Sequence, residues 1–158
     1  MDELAKRIGQ RLKAANAMLA TAESCTGGWV AQELTAVAGS SAWFERGFVT
    51  YSDLAKQELL GVSAETLRQH GAVSEETARE MARGALRRSQ ASVALSITGV
   101  AGPGGGTREK PVGMVCFAWS RGGEVHSETH HLPGDRENVR RQSVILALEG
   151  VLKTLERG

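Results

Sequence analysis

The chain changes from a buried strand to a helix within a short stretch near its N-terminus. Residues 18–20 are typical of a strand, and Val30, Leu34 and Val37 then recur at helical spacing. Between them, residues 21–28 form a turn of small and polar residues with the sequence TAESCTGG. Such a turn directs unpaired backbone N–H groups, and the positive end of the helix dipole, at one spot. We therefore expect the functional site at this turn.

Ser24 is the first candidate for chemistry in the turn. Its hydroxyl would stand beside the unpaired N–H groups, so a nucleophile and oxyanion donors could come from one segment. Alternatively, Ser24 and Thr26 cap the helix that follows, which is the commoner role of both residue types. Cys25 could also supply a nucleophilic thiol, with a buried, unreactive cysteine as the alternative. The residues alone leave these interpretations open.

Composition and charge narrow the classes of function. The chain has 158 residues, the usual size of one domain, and we expect residues 1–158 to form a single domain. With 41% hydrophobic and 23% charged residues it is typical of a soluble globular protein. A formal net charge of +1 gives no indication of a nucleic-acid partner. The absence of a long apolar run and of a secretory leader predicts a cytoplasmic protein without a membrane partner.

Helical and strand patterns alternate along the remaining chain. Leu4, Ile8 and Leu12 predict a first helix, and further helices are predicted to begin at Ser52 or Asp53, at Ser74 and after Asp135, with a short turn capped by Ser63. Strands are predicted over residues 43–51, 91–97, 112–119 and 125–131. The last two strands are joined by a hairpin turn, so the sheet is mixed. The pattern predicts one α/β domain with helices on both faces of a mixed sheet.

A tyrosine and a lysine stand close together where the second strand passes into a helix. Lys56 would lie one turn into that helix, and Tyr51 near the end of the strand. A lysine in an apolar pocket loses its proton more easily and can act as a base, while a tyrosine hydroxyl can relay a proton. A solvated lysine and a partly buried tyrosine are the alternative.

A glycine-rich loop and two arginines suggest an anion site. The loop over residues 99–106 lacks the lysine of a P-loop and is not followed by a helix. Its glycines still allow close approach of a ligand to the backbone, although a surface turn is an equal alternative. Arg136 and Arg140 share one face at the start of the last helix, where they would suit a phosphate. Ordinary surface arginines are the alternative.

No metal site is predicted from the histidines and cysteines. His126 and His130 share one face of a predicted strand and His131 takes the other, without an acidic partner at ligand spacing. Cys25 and Cys116 have neither metal nor disulfide spacing.

Five segments together resemble the C-terminal domain family of CinA, the competence/damage-inducible protein. They are AESCTGG at residues 22–28, GFVTYSDLAK at 47–56, TGVAGP at 98–103, KPVG at 110–113 and GDR at 134–136. The resemblance implies a three-layer α/β/α sandwich and hydrolysis of nicotinamide mononucleotide to nicotinate mononucleotide and ammonia, without a cofactor. The family's nucleophilic serine matches Ser24, and its tyrosine and lysine match Tyr51 and Lys56. The larger N-terminal domain of full-length CinA proteins is missing, so a stand-alone amidase is expected.

The resemblance leads to a mechanistic hypothesis with assigned residues. Neutral Lys56, helped by Tyr51, takes the Ser24 proton, and N–H groups of Cys25, Thr26 and Gly27 hold the oxyanion. The predicted substrate-binding residues are Thr98, Gly99, Gly102, Gly104, Arg136 and Arg140. A non-catalytic nucleotide-binding module and a Ser/Lys amidase for another small amide are the competing hypotheses. Exposed edge strands in so small a domain are compatible with a homodimer.

Overall fold

The computed structural model describes residues 1–157 as six helices, five strands and a short 3₁₀ turn. The helices are α1 (Asp2–Ala14), α2 (Trp29–Thr35), α3 (Asp53–Leu60), α4 (Ala64–His70), α5 (Glu75–Arg87) and α6 (Arg136–Arg157). The strands are β1 (Leu19–Glu23), β2 (Phe44–Val49), β3 (Val93–Gly99), β4 (Met114–Arg121) and β5 (Glu124–His131). None of the described helices is long and apolar enough to span a membrane.

The strands form one sheet in the order β2-β1-β3-β4-β5. The first three strands run parallel and β4 and β5 continue antiparallel, so the predicted mixed sheet is confirmed. Helices α1, α2 and α6 cover one face of the sheet, and α3, α4 and α5 cover the other. The three-layer α/β/α architecture expected from the resemblance is confirmed.

Successive side chains of a strand point to opposite faces of the sheet, and the cores on the two faces differ in side-chain size. On the α6 side β4 contributes Val115, Phe117 and Trp119, whereas on the α5 side it contributes Cys116 and Ala118. The small residues let α5 lie close to the sheet. Gly84 also lets α5 lie close to α3, because a Cβ at this position would stand 1.9 Å from the carbonyl oxygen of Leu60. Close packing of these two helices fixes α3, which carries Lys56.

The first strand is longer than its apolar core predicts. Strand β1 continues to Glu23 because it pairs with β2 on one side and β3 on the other, through Thr21 and Ala22. The turn into α2 therefore begins at Ser24. Since β2 and β3 lie on opposite sides of β1, this turn stands at the position where strand order reverses. In open α/β sheets, ligands bind beyond the carboxyl ends of the strands at that position.

Candidate active site

Ser24 is the first residue after β1 and is held at the end of the sheet. Its N–H donates to the carbonyl oxygen of Ile97 on β3 at 3.0 Å, which extends the pairing of the two strands by one residue. The residue is 7% exposed. Its hydroxyl is thus carried by a backbone that is held at the carboxyl end of β1.

Lys56 approaches Ser24 from α3, the helix that follows the neighbouring strand β2. The side chain of Ser52 caps this helix, as predicted, by accepting from the N–H of Ala55 at 3.0 Å. Lys56 then lies in the first turn of α3, and only 1% of its surface is exposed. Its Nζ stands 3.0 Å from Ser24 Oγ, 2.9 Å from the carbonyl oxygen of Thr50 and 3.1 Å from that of Tyr51. Within residues 1–157, no carboxylate forms an ion pair with Lys56.

These three contacts are compatible with either protonation state of the lysine. An ammonium has three N–H bonds and can donate to all three oxygens. A neutral amine donates to the two carbonyls and turns its lone pair towards Ser24, whose hydroxyl then donates to Nζ. In the ammonium state that hydroxyl has the carbonyl oxygen of Tyr51 as acceptor, at 3.4 Å. A proton can therefore pass from Ser24 to Lys56 without movement of either side chain.

Burial changes the acidity of the lysine in the direction that a base requires. Removal from water lowers the pKa of Lys56, while the charge of Asp53 opposes that shift. Burial also raises the pKa of the Cys25 thiol to about 12, so Cys25 stays a thiol at neutral pH. The structure thus places a hydroxyl, and not a thiolate, beside the candidate base.

Tyr51 lies at the mouth of the site and contacts Ser24 only through its main chain. Its side chain is directed outwards and the residue is 63% exposed. The phenolic oxygen accepts from Nη2 of Arg136 at 3.3 Å. Tyr51 thus supplies a carbonyl oxygen to Lys56, and its predicted proton relay through the hydroxyl stays a prediction.

Glu23 shapes the turn by capping α2 with its carboxylate. Its buried carboxylate accepts from the hydroxyl of Thr26 at 2.6 Å and from the N–H groups of Gly28, Val30 and Ala31 at 3.0–3.2 Å. It therefore caps α2, and the alternative in which Ser24 and Thr26 cap this helix is wrong. The carboxylate uses the N–H groups of Gly28, Val30 and Ala31 at the helix start, whereas those of Cys25 and Thr26, earlier in the turn, have no acceptor in residues 1–157. An acidic residue directly before a turn of small residues is the only signal for this role.

Glu23→Ala is expected to destabilise the fold. It leaves the Thr26 hydroxyl and three backbone N–H groups without their acceptor, and each unpaired buried donor costs about 1–3 kcal/mol. Water entering the space reduces the sum, so we expect a loss of about 2–4 kcal/mol in the free energy of unfolding, measured by urea denaturation. Glu33→Ala, which removes a part-buried bond to the Trp29 indole, is the control and should lose about 1 kcal/mol or less. Equal losses in both variants would contradict the capping role.

The three predicted oxyanion residues differ in what their N–H groups do. The N–H of Gly27 donates to the carbonyl oxygen of Ser24 at 3.0 Å and is used within the turn. The N–H groups of Cys25 and Thr26 donate to no acceptor in residues 1–157. Of the two, Cys25 retains 6% exposure and Thr26 none. The Cys25 N–H is therefore the unpaired donor nearest to Ser24 in sequence.

Only some of the predicted substrate-binding residues lie at the site. Thr98 is buried and donates through its hydroxyl to Ala72, and Gly99 lies within β3. Gly102 borders the site, because its carbonyl oxygen accepts from Nη1 of Arg136 at 2.8 Å. Gly104 has open space around it. Arg136 thus links the glycine-rich loop to Tyr51, whereas the contacts of Thr98 and Gly99 are internal to the fold.

Arg140 also stands at the site, but it contacts the turn. Its Nε donates to the carbonyl oxygen of Cys25 at 3.0 Å and its Nη2 to that of Thr26 at 3.1 Å. The two arginines that sequence spacing grouped as a phosphate site therefore have different surroundings.

The histidines on β5 have an acidic partner that the sequence interpretation denied. Glu128 lies between His126 and His130 on the same strand face, and each imidazole Nε2 is 2.9 Å from one of its carboxylate oxygens. The hydrogen bond with His130 lowers the pKa of Glu128. Within the described residues, no group of three or more histidine, cysteine and acidic side chains has an arrangement suited to a metal ion.

Comparison with known proteins agrees with this architecture. The family model of the CinA C-terminal domain matches residues 1–155. The chain belongs to this family. Nicotinamide-nucleotide amidohydrolase PncC from Escherichia coli strain K12 is 56% identical over 148 residues, which are 93% of this chain and 90% of that protein.

Solved structures of family members share the whole fold. The competence/damage inducible protein CihA from Agrobacterium tumefaciens is 48% identical, with a TM-score of 0.94 over 98% of this chain and 94% of that one. A CinA superfamily protein from Klebsiella pneumoniae is 41% identical, with a TM-score of 0.96 over 99% of this chain and 98% of that one. The family resemblance seen in five sequence segments is thereby confirmed.

Proposed function

We propose that this chain hydrolyses the carboxamide of nicotinamide mononucleotide and releases nicotinate mononucleotide and ammonia. The observation that carries the proposal is the buried contact of 3.0 Å between Lys56 Nζ and Ser24 Oγ at the carboxyl end of β1. The name of the similar Escherichia coli protein supports the substrate class. A serine beside a desolvated lysine is a nucleophile–base pair.

In the proposed first half-reaction, neutral Lys56 takes the Ser24 proton while Oγ attacks the carboxamide carbon. The Cys25 N–H donates to the developing oxyanion. The tetrahedral intermediate then breaks its C–N bond, and the Lys56 ammonium gives its proton to the leaving nitrogen, so ammonia departs. The carbonyl oxygens of Thr50 and Tyr51 stabilise the transient ammonium. In the second half-reaction, water repeats the attack with Lys56 as base, and Ser24 recovers its proton as the acid leaves.

The substrate test measures ammonia and nicotinate mononucleotide after nicotinamide mononucleotide is added to purified protein. We expect the two products in equal amounts. Binding without either product would favour the non-catalytic nucleotide-binding module. Ammonia from a different small amide, with none from the mononucleotide, would favour a Ser/Lys amidase of other specificity. The homodimer and the single-domain organisation of residues 1–158 stay predictions.

We further propose that Arg136, with the glycine-rich loop, recognises the substrate phosphate. Arg136 is exposed, and its partners are one carbonyl and one phenolic oxygen, so no carboxylate neutralises it within residues 1–157. Arg136→Ala should raise KM for the mononucleotide about ten- to a hundredfold, the effect of losing one charge-assisted hydrogen bond. KM for the phosphate-free riboside should change far less. An equal rise in KM for both substrates would exclude Arg136 from phosphate recognition.

A further inference from the structure

Arg140 connects α6 to the turn that carries Ser24. It is half-buried, and its Nε and Nη2 donate to the carbonyl oxygens of Cys25 and Thr26 at 3.0 and 3.1 Å. Its guanidinium carbon lies 5.4 Å from the centre of the Trp29 ring. Two of its five N–H groups are therefore committed to the backbone of the turn.

The turn needs such an external support. Gly27 and Gly28 both have positive φ values, +61° and +106°. Two adjacent glycines in this region give a backbone with high intrinsic freedom. The Glu23 carboxylate binds N–H groups where the turn leads into α2. Arg140 binds two carbonyl groups of the turn. A carboxylate and a guanidinium thus hold complementary backbone groups of the same turn.

Holding the carbonyls also fixes the N–H groups of the turn. A peptide unit is planar, so a fixed C=O determines the direction of the N–H on the same unit. The Thr26 carbonyl shares its peptide plane with the N–H of Gly27, and that N–H donates to the carbonyl oxygen of Ser24. The Ser24 carbonyl in turn shares its plane with the N–H of Cys25. The contacts of Arg140 therefore extend, through Gly27, to the proposed oxyanion donor.

We propose that Arg140 is a positioning residue for the reaction of Ser24. Its guanidinium holds the turn in the one conformation in which Ser24 Oγ lies beside Lys56 and the Cys25 N–H meets the oxyanion. This inference rests on the proposed function, and it replaces the phosphate contact that sequence spacing suggested for Arg140.

The test compares Arg140→Met with Arg141→Met. Methionine keeps an unbranched side chain that can cover Trp29 but donates no hydrogen bond. Arg141 is the matched control, because its guanidinium carbon also lies over Trp29, at 5.2 Å, and its side-chain hydrogen bond goes to Glu137 instead of the turn. We measure kcat and KM for nicotinamide mononucleotide and for its phosphate-free riboside. Active sites are counted with a fluorophosphonate probe that labels nucleophilic serines, and its labelling rate constant is recorded.

Arg140→Met should lower kcat per labelled site about ten- to a hundredfold, the usual effect of misplacing reacting groups by about an ångström. The loss should be equal for both substrates, with KM nearly unchanged, and the probe should label Ser24 more slowly by a similar factor. Arg140→Lys, which can donate to one carbonyl but not to both in a fixed fork, should recover part of kcat. Arg141→Met should match the wild type.

Three results would overturn the inference. A rise in KM confined to the mononucleotide would make Arg140 a phosphate ligand. Fewer labelled sites with unchanged kcat per site would make its role purely structural. An unchanged labelling rate in Arg140→Met would show that Ser24 does not depend on it. If wild-type Ser24 reacts with the probe but the protein leaves nicotinamide mononucleotide intact, the proposed function fails, and the labelling rates still decide the role of Arg140.

Discussion

Ser24→Ala is expected to reduce ammonia release from nicotinamide mononucleotide by at least about a thousandfold, because removal of a nucleophile leaves only binding and oxyanion effects. The fold should be retained, since Ser24 keeps its backbone bond to Ile97 and Lys56 keeps two carbonyl acceptors. Substrate binding should therefore persist, and calorimetry on the inactive variant measures it.

Cys25→Ala is the matched control for this prediction. The neighbouring thiol is buried, burial raises its pKa to about 12, and the mechanism uses only its backbone N–H. Most activity should remain. An active Ser24→Ala protein together with an inactive Cys25→Ala protein would transfer the nucleophile to the cysteine and overturn the assignment.

The second large effect is expected at Lys56. Lys56→Arg keeps a positive charge, but a guanidinium does not release its proton at any pH that the protein tolerates. Loss of general-base catalysis should lower kcat/KM by about a hundredfold or more. Lys153→Arg, an exposed position on α6, is the control and should be unaffected. Near-normal turnover in Lys56→Arg would leave Lys56 with an electrostatic or binding role.

The pH dependence separates these two roles. An ordinary lysine has a pKa of roughly 10.4, so only about one in a few thousand is neutral at pH 7. Burial lowers the pKa of Lys56, and the neutral fraction therefore rises with pH at lower values than for an exposed lysine. Activity should increase with pH through this ionisation. The rising limb should be absent from the residual activity of Lys56→Arg.

The fold followed from the sequence because its signals are local and periodic. The repeat of Leu4, Ile8 and Leu12 and the caps at Ser52, Ser63 and Ser74 correspond to helices of the structure. The end of β1 was misplaced for a physical reason. Ala22 and Glu23 are residue types that are depleted from strands, and they are held in β1 by pairing on both sides.

The candidate site was less accessible to sequence reasoning, because hydrogen-bond partners distant in the chain define it. Spacing indicated that Tyr51 and Lys56 could reach one cleft, but it gave no sign that Tyr51 would present its carbonyl to the lysine and its ring to solvent. Likewise, spacing paired Arg136 with Arg140. It could not show that Arg140 contacts a turn 114 and 115 residues away.

The most direct test of the proposed mechanism is the ionisation of Lys56 itself. Lysine labelled with ¹³C at Cε allows NMR titration of each amine, and the Lys56 signal is assigned by its absence in Lys56→Arg. We expect that signal to titrate well below the range of exposed lysines, at the pH at which kcat/KM of the wild type rises. A Lys56 that stays protonated across the whole pH range in which activity increases would contradict its role as the base for Ser24.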